Sequence, residues 1–235
     1  MTGAPIARSL FFSFPQDTNT YHINTQFLLG RGVMISPVLN QGEVTVDAYF
    51  PKGRWFNLFD YAQTVHEDEG AHLTLDAPED TINVHLNGGN ILAIQQEALT
   101  TELARKSSFE LLVAFGEENN ASGELFLDDG ESVEMAADGN EWSSVSFGSE
   151  VVEGSEIRIS STVMNGGNGF GKDLVVEKVV FLGLDFELEV KGVSINGNYS
   201  NVKVEYEKKG GFGLLEIQGL KQLIGEEFEI KVEIK

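Results

Sequence analysis

No cysteine occurs among the 235 residues, which excludes disulfide staples, thiolate nucleophiles and cysteine-based zinc sites together. That absence fits an oxidising and a reducing compartment equally, so location is left to other signals. Basic residues are scarce: 16 Lys plus Arg stand against 37 Asp plus Glu, a formal charge of −21. A surface of this sign repels phosphate backbones and anionic lipid headgroups, so neither nucleic acid nor membrane is an expected partner. Long apolar runs are missing too. Gly, Asp or Lys interrupts each one within a few positions, short of the roughly 20 residues that a spanning helix needs. Nor does a basic stretch followed by an apolar one open the chain. Ile6-Ala7-Arg8-Ser9-Leu10-Phe11-Phe12 is strand-like and carries Arg in its middle, so the chain as written is expected to have no secretory leader.

What is present is a β pattern. A hydrophobic content of 41% is ample for a packed core, and the length suits one large domain or two of ordinary size. Val44, Val46, Ala48 and Phe50 alternate with Glu43, Thr45, Asp47 and Tyr49, and Ile157 and Ile159 alternate with Arg158 and Ser160. Further strands are expected at 81–86, 109–115, 124–127, 174–182, 188–193, 202–207, 213–218 and 228–234. Turn signals such as Asn87-Gly88-Gly89-Asn90, Asp128-Asp129-Gly130 and Asn196-Gly197-Asn198 separate them. Many short strands at this spacing imply an all-β protein of antiparallel β-sandwiches. Thr100-Thr101-Glu102-Leu103-Ala104-Arg105-Lys106 reads as a short capped helix or turn, which places a domain junction at 100–108. The segment 7–14 differs: Leu10, Phe11, Phe12 and Phe14 make it apolar on both faces, as in a barrel strand covered on both sides.

Several constellations invite a chemical reading. Asp128, Asp129, Glu131 and Glu134 form a carboxylate cluster, and glycosidases use two carboxyl groups. Neighbours in extended chain point to opposite faces, however, and Asp-Asp-Gly after Phe-Leu is a turn signature, so these residues are expected to be structural. Gly166-Gly167-Asn168-Gly169-Phe170-Gly171-Lys172 approaches a phosphate-cradling loop, but Asp173 stands where a hydroxyl would ligate magnesium. A hairpin loop is expected there, and no cofactor. His22, His66, His72 and His85 fall in no metal-ligand spacing, so no metal is expected. The aromatic cluster from Arg54 to Tyr61 is expected to be core. Two glycan-acceptor sequons occur, at Asn120-Ala121-Ser122 and Asn198-Tyr199-Ser200.

Taken in order, several segments carry a family likeness. They are Ala4-Pro5-Ile6-Ala7-Arg8, Leu10-Phe11-Phe12-Ser13-Phe14-Pro15, Gln26-Phe27-Leu28-Leu29-Gly30, Ile35-Ser36-Pro37-Val38-Leu39, and Ala48-Tyr49-Phe50-Pro51-Lys52-Gly53-Arg54-Trp55. Ala77-Pro78-Glu79-Asp80-Thr81-Ile82-Asn83-Val84-His85 and Gly-Glu-Leu-Phe-Leu-Asp-Asp-Gly-Glu at 123–131 complete the set. Over essentially its whole length the chain resembles the C-terminal part of glycoside hydrolase family 31 α-glucosidases, and its wording is similar to plant secreted or vacuolar forms, with plant α-xylosidases the rival. The resemblance implies that residues 1 to about 30 are the last segment of a (β/α)8 catalytic barrel, 31–107 a proximal β-sandwich and 108–235 a distal one. It also implies that the absent barrel is the partner and that the parent enzyme is secreted to the cell wall or vacuole. An alternative reading is a non-catalytic carbohydrate-binding β-sandwich module, with α-glucan as its partner, held by exposed aromatics such as Trp55 or Trp142. The family's nucleophile motif, Trp-x-Asp-Met-Asn-Glu, does not occur in the chain. No catalytic residue is therefore assigned, and Arg8, Trp55, Asp128 and Asp129 are expected to be structural.

Overall fold

The computed structural model describes residues 4–131, 142–165 and 170–235; Glu134 and Gly166 to Gly169 lie outside them. Period-two segments become strands, and two interlocked units result. The first contains β1 (Ala7–Arg8), α1 (Leu10–Ser13), β2 (Phe27–Leu29), β3 (Val33–Ser36), β4 (Thr45–Phe50), β5 (Gly53–Asn57), β6 (Thr64–Glu67), β7 (Ala71–Asp76) and β8 (Asn83–Asn87). Six of its strands form a sheet in the order β1-β2-β3-β8-β5-β6, and β4 and β7 pair separately. Alternation puts Leu28, Met34 and Trp55 of the sheet into one core with Ala48, Tyr49 and Phe50 of β4.

The second unit contains β9 (Asn90–Gln95), α2 (Thr101–Ala104), β10 (Phe109–Ala114), β11 (Asn120–Leu127), β12 (Ser143–Val152), β13 (Glu156–Asn165), β14 (Val175–Leu184), β15 (Val190–Ile195), β16 (Asn198–Tyr199), β17 (Lys203–Lys209), β18 (Phe212–Leu223) and β19 (Glu229–Ile234). All eleven strands share one ladder, in the order β16-β15-β19-β13-β12-β11-β9-β10-β14-β18-β17. Leu111, Val113, Phe181 and Leu215 from one half pack against Val145, Phe147, Ile159 and Ile230 from the other, so the ladder folds over its own core as a sandwich. Pairing is antiparallel among the described strands, except that β10 and β14 run parallel and a single parallel bridge, Ser122 to Asn90, joins β11 to β9. That bridge is where the two layers meet.

Two expectations need correction. Residues 10–14 are not an extended strand: α1 is one helical turn, closed by the Phe14 N–H donating to Leu10 O at 2.9 Å. Spacing i, i+4 sets Leu10 and Phe14 on one face. There Leu10 is fully buried and Phe14 packs 5.7 Å from the Trp55 ring, while Phe11 and Phe12 face outward. A strand would have sent Leu10 and Phe14 inward together with Phe12, and Pro15 then ends the turn. The second correction is a strand that alternation did not reveal. Ile91 and Ala93 of β9 face the sandwich core, whereas Leu92 and Ile94 face the first unit, so both faces are apolar. β9 pairs with β10 from Phe109↔Gln95 to Ala114↔Asn90, spanning the expected junction at 100–108. α2 does sit between them, with the Thr100 side chain accepting from Leu103 N–H.

The units share a third apolar cluster. Phe56 and Leu86 of the first unit pack on Leu112, Ala114, Val180, Leu182 and Leu214 of the second. Close approach at this seam depends on Gly183: its φ is +87°, and a Cβ there would lie 2.8 Å from Phe56 Cζ and 3.0 Å from Phe115 O.

Candidate functional site

The carboxylate cluster resolves into turn chemistry. Asp128 Oδ1 accepts from the Gly130 N–H at 2.8 Å and Asp129 Oδ1 from the Glu131 N–H at 3.0 Å, the local pattern expected of Asp in turns. Arg105 donates to the Asp128 carbonyl and lies 5.4 Å over the Phe170 ring. Both aspartates thus hold the loop. Of the glycine-rich loop, residues 170–172 are described: the Phe170 carbonyl accepts from Ser143 Oγ at 2.8 Å, and the Lys172 carbonyl from the Gly225 N–H at 3.1 Å.

The aromatic stretch after Arg54 is core and seam at Trp55, Phe56 and Tyr61, but Phe59, expected in the core, is 70% exposed. Trp55 is fully buried, with Nε1 donating to Pro51 O at 2.8 Å, which removes it as a surface for stacking a sugar. Arg54 is also buried, yet charged. Its Nη1 donates to Gly183 O at 2.8 Å and to Gly116 O at 3.4 Å, its Nη2 pairs with Asp185 at 2.8 Å, and its guanidinium lies 4.8 Å over Phe212. All four partners belong to the second unit, so one side chain of β5 clamps the seam. Tyr61 lies on the same seam, its hydroxyl pKa pushed up to about 12, first by burial and then by the charges of Glu110 and Glu216. Those two glutamates flank Lys178 at 3.2 and 3.3 Å.

The histidines divide. His85 is buried against Phe50, ring centroids 4.9 Å apart, and burial lowers its pKa to about 4. His66 comes together with Asp68 and Glu117, ligand atoms within 4.8 Å, a grouping that sequence spacing missed because Glu117 belongs to the other unit. All three are exposed, and Lys52 holds Glu117 at 3.7 Å. The arrangement is that of an ordinary solvated surface cluster.

Both sequons are on the surface. Asn120 opens β11 beside Asn119, whose φ is +51°, and Asn198 follows the turn made by Asn196 and Gly197, with φ of +50° and +78°.

Most of the exposed apolar surface near the N-terminus lies on one segment. Ile6 is 79% exposed, Phe12 51% and Phe11 44%, and Tyr21, Phe27 and Leu29 are exposed as well. A surface cavity of about 530 Å³, lined by Phe14, Pro15, Asp17, Pro51, Lys52 and Glu69, opens beside α1. Exposed apolar surface of this kind marks a docking face. We expect the isolated protein to self-associate through it, and Phe11→Ser/Phe12→Ser to shift gel-filtration elution toward the monomer without changing the melting temperature.

The family profile described as "Glycosyl hydrolase family 31 C-terminal domain" matches residues 3–92. An alpha-glucosidase of Hordeum vulgare is 47% identical over 99% of the chain, and alpha-xylosidase 1 of Arabidopsis thaliana is 39% identical over 98%. In both cases the chain spans only 27% of the relative's length. Among solved structures, a glucosidase II alpha subunit superposes with a TM-score of 0.83 at 21% identity, covering 98% of this chain and 26% of that one. A dextranase of Flavobacterium johnsoniae gives 0.77 at 22%, covering 99% and 29%; at such identities these two likenesses speak to fold alone. Together, the profile and the plant relatives establish that the chain belongs to glycoside hydrolase family 31, as its C-terminal β-sandwich region.

Proposed function

We propose that this chain is the bracing part of a retaining α-glucosidase, whose whole form releases glucose from non-reducing α-linked ends by a two-carboxylate mechanism. The observation that carries this reading is near-complete coverage of the chain by relatives of which it forms about a quarter, 27%. The apolar face around α1 supports it, because it offers the surface on which a catalytic barrel would seat. The family's nucleophile motif, Trp-x-Asp-Met-Asn-Glu, does not occur in the chain. We expect the 235-residue protein alone to leave maltose and an aryl α-glucoside unhydrolysed, and to restore activity when joined to a barrel carrying Trp-x-Asp-Met-Asn-Glu. Hydrolysis by the isolated chain above blank would overturn the assignment.

The choice of glucosyl over xylosyl substrate rests on the higher identity to the barley enzyme than to the Arabidopsis xylosidase, 47% against 39%. Parallel assays of the joined protein on maltose and on a xylosyl-bearing oligosaccharide decide it. The same reading sends the parent through the secretory route to wall or vacuole, with Asn120 and Asn198 as glycan acceptors. A mass shift on glycosidase treatment of the plant-expressed parent, lost in Asn120→Gln and Asn198→Gln, tests that.

A further inference from the structure

The outer face of β11 and β12 carries aromatic and hydroxyl side chains. Leu125 and Leu127 pack inward, so Glu124 and Phe126 point out, and Phe126 stays 41% exposed. Trp142 stacks on it, ring centroids 5.5 Å apart and planes at 27°. Register then lays out the neighbours: Phe126 is opposite Ser144, Glu124 is opposite Ser146, and Ser146 is opposite Thr162 of β13. Cross-strand neighbours on one face stand about 5 Å apart. The patch thus joins an aromatic end to two rows of hydroxyls with one carboxylate, in a chain whose formal charge is −21.

We propose that this patch, Phe126 and Trp142 with Glu124, Ser144, Ser146 and Thr162, is a surface binding site for an α-glucan chain. The inference rests on the assignment to an α-glucan-acting parent and names a surface of this chain that would hold that substrate. A pyranose presents an apolar C–H face and a rim of hydroxyls, which match an aromatic ring bordered by side-chain hydroxyls and one strong acceptor. Charge selects among occupants. A basic partner would call for many carboxylates and an acidic one for Lys or Arg, whereas a neutral polyol needs neither. Binding here would keep a polymeric substrate near the enzyme between cleavages and raise its local concentration.

The protein supplies its own reporter. Of its two tryptophans, Trp55 is buried, so a change in emission on adding sugar reads Trp142. Titration of the 235-residue protein with maltoheptaose should give a saturable change with a dissociation constant in the millimolar range or below. Phe126→Ala should weaken it at least tenfold, and Thr162→Val several-fold, with melting temperatures unchanged because both side chains are exposed. Calorimetry repeats the measurement on Trp142→Ala, which lacks the reporter and should show no heat. Absence of saturable binding by the unsubstituted protein overturns the site, as does equal affinity in Phe126→Ala. Dimers in sedimentation that Phe126→Ala dissolves would identify the patch as a contact between copies and overturn it too. Preference for a xylose-bearing oligosaccharide over maltoheptaose overturns the glucan assignment. None of these results bears on whether joining a barrel restores hydrolysis, so the two readings fail separately.

Discussion

Replacing Arg54 with Ala should lower the unfolding free energy by about 3 kcal/mol in a urea titration. The figure comes from several losses of unequal size. Hydrogen bonds from a charged donor to a buried carbonyl contribute roughly 1.5–3 kcal/mol each, and the bond to Gly183 O at 2.8 Å is of that kind. The ion pair adds less, because Asp185 is 41% exposed and water screens it. Stacking over Phe212 adds about 0.5–1 kcal/mol. Against these stands the cost of burying the guanidinium at all, visible in a buried Nε that has no partner among the described residues. That opposing term gives the companion prediction. Arg54→Met keeps the apolar stem over Phe212 and sheds the buried charge, so its loss should be about half that of Ala. Equal losses for Met and Ala would mean that polar anchoring of the seam, and not packing, carries the whole effect. A loss below about 1 kcal/mol for Ala would mean that the apolar seam holds without the clamp.

Acid should destabilise the protein through His85 by about 3 kcal/mol. Burial sets the folded pKa at about 4, against an ordinary value of 6.5. As pH falls through 6.5 the unfolded chain binds a proton at this position, while the folded chain does not until about 4. Stability is therefore complete above about 6.5, declines across the window down to about 4, and declines no further on this account below it. Nδ1 has no hydrogen-bond partner among the described residues, and the ring rests on Phe50. Denaturation midpoints of the unsubstituted protein and His85→Gln, compared at pH 7.0 and 4.5, isolate the effect from carboxylate titration, which both share. The difference between the two proteins should narrow or reverse at the lower pH. Parallel curves would show that His85 accepts its proton in the folded state without cost.

Much of the fold was legible because alternation is a local signal. The run from Thr45 to Phe50 reads as a half-buried strand on sight, and Asn196-Gly197 with positive φ at both residues is the hairpin turn that its sequence implies. β9 escaped because Ile91-Leu92-Ala93-Ile94 has no polar phase, and only the other unit's packing on Leu92 and Ile94 explains why. α1 escaped for the same reason: an apolar stretch fixes burial without fixing period. At the site level, the turn role of Asp128 and Asp129 followed from neighbours two residues away. The Arg54 clamp did not, since its partners Gly183 and Asp185 stand about 130 residues further along the chain. The pairing of Phe126 with Trp142 likewise depends on a strand register that no short motif encodes.

β9 has a last consequence, for how such proteins are cut and recombined. The family profile stops at residue 92, in the middle of that strand. A cassette ending there would carry half of an inner strand of the other ladder, where β9 lies between β11 and β10, and would leave part of β10 without its partner in the chain that remains. Strand ownership and sequence ownership differ at this point. Shuffling, in an ancestor or in a laboratory, preserves folding when it moves both sandwiches as one inheritance, or when it breaks the chain at the Asn87-Gly88-Gly89 turn, where no ladder is severed.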